Sequence, residues 1–192
     1  MDDREFGEHI AQVVIHGIQA GRPVEIDGLG TFFPDRDRFF RFEPKCLPQV
    51  FIAYVVEDRP WAERLYDTLE EEGFAPWMDT RRLLAGQNWP RAIEAAIEGS
   101  EFFVACFSPH SVAKKGGFQA EIRYALDCAR QLPLDQIFMV PVRLGECAVP
   151  RTIQRLFQYV DLIPDWQRGV RRVVGTMRRE LARRRPYSLG RR

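Results

Sequence analysis

Short apolar runs alternate with amphipathic segments along the chain after residue 48. The runs predict five strands, the last of them an edge strand, at residues 49–55, 74–79, 101–108, 136–144 and 158–162. Apolar residues recur three or four positions apart between these runs, which predicts helices at residues 59–73, 88–100, 114–130, 151–157 and 165–181. This alternation favours an α/β fold in which a five-stranded parallel sheet carries helices on both faces.

The first 45 residues follow a different pattern. They predict an amphipathic helix at residues 4–21, and then a strand, a turn and a second strand within residues 22–34. Because Pro44 and Pro48 mark a break, we divide the chain into a helix–hairpin appendage (1–45), an α/β domain (46–182) and an Arg-rich C-terminal tail (183–192). The appendage is too short to bury a stable core alone, so we expect it to pack on the larger domain or on a partner chain.

One carboxylate in the helix predicted at 114–130 occupies an unusual position. Glu121 lies about 60° from Phe118 on a helical wheel, at the edge of the apolar stripe formed by Phe118, Ile122, Ala125, Leu126 and Ala129. A residue at such an edge is ordinarily a solvated boundary residue. However, the crevice of an open parallel sheet lies beyond the carboxyl ends of its strands. Polar residues follow three of the strands there, namely Tyr54, Asp58, Asp79 and Ser108. Their convergence makes Glu121 a candidate catalytic residue and predicts that these four polar residues contact the substrate.

A single carboxylate beside apolar and aromatic surface suits glycosidic chemistry. It can hold ribose hydroxyls and stabilise an oxocarbenium-like centre while a good leaving group departs. A cationic leaving group such as nicotinamide needs no general acid. Trp77 is interpreted as a core aromatic that can border this site.

Other kinds of site are excluded or weakly supported. The chain has no GxxxxGK[ST] loop and no GxSxG elbow, and Gly28 and Gly30 are followed by no third glycine of a dinucleotide fingerprint. Ser108 and His110 have no orienting acid in the sequence nearby. Four scattered cysteines without a CxxC pair and three histidines predict reduced thiols and no metal site. The acidic N-terminus and the absence of a bilayer-length apolar run predict a cytoplasmic protein without a membrane segment.

Charge is distributed unevenly along the chain. From Arg168 to Arg192 there are ten arginines and one glutamate, a balance of +9, so with a net charge of +1 the rest of the chain carries −8. This basic end is interpreted as a solvated last helix with an Arg-rich tail. Nucleic acid, anionic lipid or an acidic partner stays open as its ligand.

Residues 49 to about 180 resemble a bacterial TIR domain. The segment "VFIAYVVEDRPWAERLYDTLEEEGFAPWMD" resembles the family's first strand, helix and aromatic-x-Asp strand, and "RRLLAGQNWPRAIEAAIEGSEFFVACFSPHSV" resembles the loop, helix and strand that follow. "FQAEIRYAL" resembles the segment that carries the family's catalytic glutamate, which falls on Glu121. The resemblance implies a flavodoxin-like five-stranded sheet.

The resemblance also implies an activity, NAD⁺ glycohydrolysis, in which NAD⁺ is the substrate and no cofactor is needed. Nicotinamide would be released together with ADP-ribose or a cyclised product. Family positions that line the substrate fall on Val55, Leu84 and Phe118; some members have a tryptophan where this chain has Gly117. Self-association into an oligomer or filament is implied, since the loop at residues 80–87 would complete a neighbour's site. Implied partners are other TIR or defence-operon proteins, in anti-phage defence or signalling.

A second, shorter resemblance covers the appendage. "IHGIQAGRPVEIDGLGTFFPD" is similar to the helix end and first strands of the histone-like HU/IHF family, without its long DNA-wrapping arms. Nearby arginines are offset by acids: Arg36, Arg38 and Arg41 by Asp35, Asp37 and Glu43. We therefore do not expect nucleic-acid binding from this piece and favour a dimerisation or sensing appendage. A non-catalytic scaffold that binds other TIR domains remains the alternative to an enzyme.

Overall fold

The computed structural model describes residues 3–26, 29–35, 39–44, 46–82 and 88–184. The chain forms two compact units, one up to Leu47 and one from Pro48 onward. Among the helices of the described residues, none combines the length and apolar character that crossing a bilayer requires.

The N-terminal unit contains one helix and a three-stranded antiparallel sheet. Helix α1 (Asp3–Gln19) precedes β1 (Val24–Ile26), β2 (Gly30–Asp35) and β3 (Phe39–Pro44), which are ordered β1-β2-β3. The predicted helix and hairpin are confirmed, whereas the third strand was not predicted. Phe32 pairs with Phe42 across β2 and β3, with ring centroids 4.6 Å apart. This aromatic pairing adds the third strand to the hairpin.

The second unit is the predicted α/β domain. Its first half comprises β4 (Gln49–Ala53), a 3₁₀ turn (Val56–Asp58), α2 (Arg59–Glu71), β5 (Ala75–Trp77), α3 (Asp79–Arg82) and α4 (Trp89–Glu98). Its second half comprises β6 (Phe102–Phe107), α5 (Pro109–Ala113), α6 (Gly117–Gln131), β7 (Met139–Arg143), α7 (Arg151–Leu156), β8 (Val160–Asp161) and α8 (Trp166–Arg184). All neighbouring strands are parallel, in the order β5-β4-β6-β7-β8. This is the flavodoxin-like order, so the predicted fold class is confirmed.

Alternate residues of the central strand β6 supply two separate core layers. Phe102, Val104 and Cys106 pack with apolar residues of α2 and α8. Phe103, Ala105 and Phe107 pack with the layer that contains Ile97 of α4 and Ile122 of α6. The whole strand is buried, as expected of a central parallel strand. The layer formed with α4 and α6 is the one that supports Glu121.

The basic end of the chain takes part in the fold. Helix α8 continues through Arg184, two residues into the predicted tail, and residues 185–192 lie outside the described residues. Arg183 and Arg184 both donate to Glu180, whose carboxylate is buried. Arg184 also donates to Glu101 and to the carbonyl of Ile137. These contacts hold the last turn of α8 against the segments that enter β6 and β7.

Because α8 packs closely on the edge of the sheet, replacing two of its glycines by alanine should have opposite effects on stability. A Cβ on Gly169 would lie 2.5 Å from the carbonyl oxygen of Asp161, whereas one on Gly175 would meet nothing within 4 Å. We expect Gly169→Ala to lower the free energy of unfolding by about 2 kcal/mol, because the helix must move away. Gly175→Ala should raise it by about 0.5–1 kcal/mol through helix propensity. Urea titration of both variants checks this, and equal effects would contradict the close approach.

Candidate active site

Glu121 lies at the edge of the buried face of α6, as the helical wheel predicts. Phe118, Ile122 and Ala125 are buried in the core, and Glu121 is half-buried beside them. Burial raises the pKa of the Glu121 carboxyl to about 8, and the negative charge of Asp79 contributes to the rise. A large fraction of this group is therefore protonated at neutral pH in the protein without substrate.

Two further predicted residues lie around this carboxyl. The Tyr54 hydroxyl donates a hydrogen bond to Asp79 Oδ1 at 2.7 Å, which joins the end of β4 to the end of β5. Asp79 is close enough to Glu121 to act on its pKa. The structure thus brings Tyr54, Asp79 and Glu121 to one end of the sheet.

Trp77 packs in the core, the first of the two roles predicted for it, and its place at the border of the site stays a prediction. It is half-buried at the end of β5, and its ring stacks on Phe51 with centroids 4.8 Å apart and an interplanar angle of 18°. The ring packs against the core layer beneath α4 and α6.

Asp58 and Ser108 form a buried pair that organises two loops. They are 3% and 2% exposed, and the Ser108 hydroxyl donates to the Asp58 carboxylate. The same hydroxyl accepts hydrogen bonds from the backbone N–H groups of His110 and Ser111, both at 3.1 Å, and so caps α5. The pair joins the loop after β4 to the loop after β6. Contact of either residue with substrate stays a prediction.

The remaining predicted substrate contacts are buried or lie outside the described residues. Val55 and Phe118 both belong to the core. The rings of Phe118 and Phe107 make an edge-to-face contact, with their centroids 5.8 Å apart. Leu84 lies outside the described residues. The aromatic that the sequence places three residues before Glu121 is therefore used mainly in packing.

An open groove of about 540 Å³ runs between α4 and α6 and includes Glu121 in its lining. Most of the lining is apolar or aromatic: Trp89, Pro90, Ile93, Ile97, Ala120 and Tyr124. The Tyr124 hydroxyl donates to the Glu98 carboxylate, which fixes the ring and raises the pKa of Tyr124 to about 12. Trp89 is 57% exposed, unusually high for a tryptophan.

Sequence reasoning missed this groove. Trp89 shares a helical stripe with Ile93 and Ile97, so periodicity predicts that it is buried. Asn88 caps α4 by accepting a hydrogen bond from the Arg91 N–H group, so Trp89 occupies the first position of the helix. Asn88, a residue type common at helix N-caps, was the signal in the sequence that Trp89 lies at the end of the helix.

The chemistry available here is that of a carboxyl group beside apolar walls. Low polarity strengthens the interaction of an ionised Glu121 with a positive centre in the groove. Among the described residues, no group of three or more His, Cys, Asp or Glu side chains is arranged to hold a metal ion.

The model of the family described as "TIR domain" matches residues 50–174, well over half of the chain. A protein of Sinorhizobium fredii named "Uncharacterized protein y4cD" is 27% identical over 118 residues. The match covers 60% of this chain and only 18% of that protein's length.

Solved structures share the fold at lower identity. The TIR domain of the Toll-related receptor TRR-2 from Hydra magnipapillata is 23% identical with a TM-score of 0.57, over 67% of this chain and 97% of that one. A TIR-STING receptor from C. gigas, solved with 2',3'-cGAMP, is 24% identical with a TM-score of 0.57, over 67% of this chain and 38% of that one. The TIR domains of the Roq1 resistosome are 16% identical with a TM-score of 0.53, over 70% of this chain and 99% of that one. Through the family match and this shared fold, the chain belongs to the TIR domain family.

Proposed function

We propose that this chain is a TIR-domain NAD⁺ glycohydrolase in which Glu121 is the catalytic residue. The observation that carries the proposal is the position of Glu121, half-buried at an apolar groove with a pKa raised to about 8. Perturbed carboxyl groups in clefts are characteristic of functional sites. Membership of the TIR domain family and the resemblance around Glu121 support the same conclusion.

The reaction follows from the charge of the substrate. Cleavage of the bond between nicotinamide and ribose leaves both bonding electrons on the ring nitrogen, so the cationic ring departs as a neutral molecule. The positive charge passes to C1′ of the ribose, where an ionised Glu121 stabilises it. Water then attacks C1′ and releases a proton to give ADP-ribose; attack by a nucleophile of the same molecule would give a cyclised product.

Binding of a cation also helps to ionise Glu121. A positive charge nearby favours the carboxylate and lowers its pKa from the value in the free protein. The proton would therefore leave Glu121 as the substrate binds. We propose that burial, together with the negative charge of Asp79 held by Tyr54, sets the starting value of this pKa.

We further propose that activity is gated by self-assembly through the segment at residues 80–87, in bacterial anti-phage defence or signalling. Other TIR or defence-operon proteins are the proposed partners. If the site is completed by a neighbouring copy, the activity per molecule must rise with protein concentration.

The test is nicotinamide release from NAD⁺ at two protein concentrations, followed by chromatography, with Glu121→Gln in parallel. We expect release that rises more steeply than protein concentration and that Glu121→Gln eliminates. Absence of release at every concentration, with crowding agents included, would favour a non-catalytic TIR–TIR scaffold.

A further inference from the structure

The outer side of α8 carries a row of arginines. Apolar residues of this helix, such as Val170, Val173 and Met177, are buried against the sheet. On a helical wheel the opposite side holds five exposed arginines, Arg168, Arg171, Arg172, Arg178 and Arg179. The ends of the row are eleven positions apart, so it extends over about 16 Å along the helix.

Most of this row has no negative partner nearby. Arg178 is paired with Glu72 at 2.7 Å. Other carboxylates next to α8 are engaged elsewhere, since Asp161 pairs with Arg143 and Asp165 accepts a hydrogen bond from a backbone N–H of the first turn. Within the part of the chain that the structure describes, no carboxylate pairs with the other four, Arg168, Arg171, Arg172 and Arg179. Arginines this close repel one another, and a ligand of opposite charge would relieve the repulsion.

Helix α7 extends the positive surface beside α8. Arg155 and Arg172 line one cavity of about 630 Å³, together with Gln154 and Gln158. Arg172 also lines a neighbouring cavity of about 370 Å³ with Arg179. Guanidinium and amide groups are both donors that suit phosphate oxygens. The two helices therefore form one continuous surface of positive charge and hydrogen-bond donors.

We propose that this surface binds the phosphate backbone of double-stranded nucleic acid without regard to base sequence. We call it the basic face, and it consists of Arg155, Arg168, Arg171, Arg172 and Arg179. A row of positive charge along a helix matches the regular row of phosphates along a duplex. Each guanidinium can donate two parallel hydrogen bonds to one phosphate, which an ammonium group cannot do in the same plane.

The surroundings of the basic face favour a duplex over single strands. Single-stranded nucleic acid is bound largely by stacking its bases on exposed aromatic rings. Phe157 and Tyr159 are the aromatics beside the face, and both are half-buried. The guanidinium of Arg143 lies over the Tyr159 ring, 5.0 Å from its centroid, and so covers it.

The distribution of apolar residues disfavours a membrane or a protein as the main ligand. A helix that lies in a membrane surface inserts its apolar side into the lipid, and a protein interface ordinarily has an apolar centre. The large apolar residues of α8 are committed to the core. Leu156 of α7 is 61% exposed, and it is the exposed large apolar residue that the described part of α7 and α8 offers.

Binding at the basic face would leave the candidate active site accessible. Helix α8 packs on the core layer at one face of the sheet, whereas α4 and α6 pack on the layer at the other face. The inference therefore goes beyond the proposed function and does not depend on it. Several copies that bind along one duplex would be brought together without any contact through residues 80–87.

The test is fluorescence anisotropy of an end-labelled duplex of about 20 base pairs, titrated with the full chain at several salt concentrations. With the five arginines of the basic face engaged, the logarithm of the binding constant should fall with the logarithm of salt concentration at a slope of about −4. Affinity should thus decrease roughly 200-fold between about 50 and 200 mM KCl. A duplex of unrelated sequence should give the same affinity and slope.

Charge-matched variants locate the binding surface. Arg171→Gln combined with Arg172→Gln should reduce the slope by about 2 and weaken binding at least about tenfold at about 100 mM KCl. Arg91→Gln combined with Arg130→Gln is the control, because it removes two exposed arginines from α4 and α6 and changes the net charge equally. It should leave the slope unchanged. Thermal unfolding of each variant verifies that the fold survives.

The results that would overturn the inference are specific. Absence of duplex binding at about 50 mM KCl would do so, as would an equal loss of affinity in the two pairs of glutamine variants. Phosphatidylserine-containing vesicles and sedimentation of the protein alone are measured in parallel. Vesicle binding or self-association that needs Arg171 and Arg172, without duplex binding, would reject nucleic acid in favour of a membrane or a second copy.

Discussion

Glu121→Gln is expected to stabilise the fold at alkaline pH while it abolishes nicotinamide release. The pKa of the Glu121 carboxyl is about 8 in the folded protein, against an ordinary value of 4.5. Between these values the folded state holds a proton that the unfolded state has lost, so wild-type stability falls as the pH rises through this window. Glutamine is neutral throughout. Above about pH 8 the variant should be more stable by roughly 3–5 kcal/mol.

Urea denaturation of wild type and variant across the pH range checks this expectation. Below about pH 4.5 the two proteins should have nearly equal stability, because the glutamate is then protonated in both states. Asp79→Asn is the companion variant. It removes the neighbouring negative charge and should lower the pKa of Glu121. The pH range over which wild-type stability falls should then be narrower. A difference between wild type and Glu121→Gln that does not change with pH would contradict the raised pKa.

Glu180 is expected to behave in the opposite way. It is 3% exposed, and its carboxylate accepts hydrogen bonds from Arg183, Arg184 and the backbone N–H of Ile137. The hydrogen bonds from the two arginines and from Ile137 lower the pKa of Glu180 to about 2, with Arg183 contributing most. Glu180→Gln should lower the free energy of unfolding at pH 7 by about 3 kcal/mol, because the charge that the arginines require is removed.

The pH dependence distinguishes this ion pair from simple packing. A lowered pKa stabilises the fold above the unfolded value of about 4.5, and this stabilisation is lost as the pH falls towards 2. The difference between wild type and Glu180→Gln should therefore be constant from about pH 5 to 7 and shrink below pH 4. Glu70→Gln, at an exposed glutamate of α2, is the control for generic loss of charge. A difference that persists unchanged at pH 3 would contradict the ion-pair explanation.

Hydrophobic periodicity is sufficient to predict the α/β domain because its strands are buried on both faces. Near-continuous apolar runs such as Phe102–Phe107 are typical of central parallel strands that helices cover on both faces. The third strand of the N-terminal unit is different. Phe39 and Phe40 are adjacent and both exposed, so no alternation marks β3 in the sequence. The strand follows from pairing with β2, which a local pattern does not record.

In the candidate site, too, features of a single helix can be predicted from the sequence, whereas features that depend on distant residues cannot. Glu121 can be predicted because its angle to the apolar stripe is a property of α6 alone. The exposure of Trp89 depends on which neighbouring elements cover the first turn of α4. The buried hydrogen bond that the Ser108 hydroxyl donates depends on Asp58, fifty positions away. Long-range contacts of this kind decide which polar residues are committed to structure and which can meet a ligand.

The four tryptophans of the chain differ in ways that would be visible in fluorescence. Trp61 and Trp166 lie together with ring centroids 5.6 Å apart, Trp77 is stacked on Phe51, and Trp89 faces solvent. A collisional quencher such as iodide should therefore reach mainly Trp89. Occupancy of the groove would then appear as shielding from the quencher, so the native chain carries its own optical reporter and needs no attached dye.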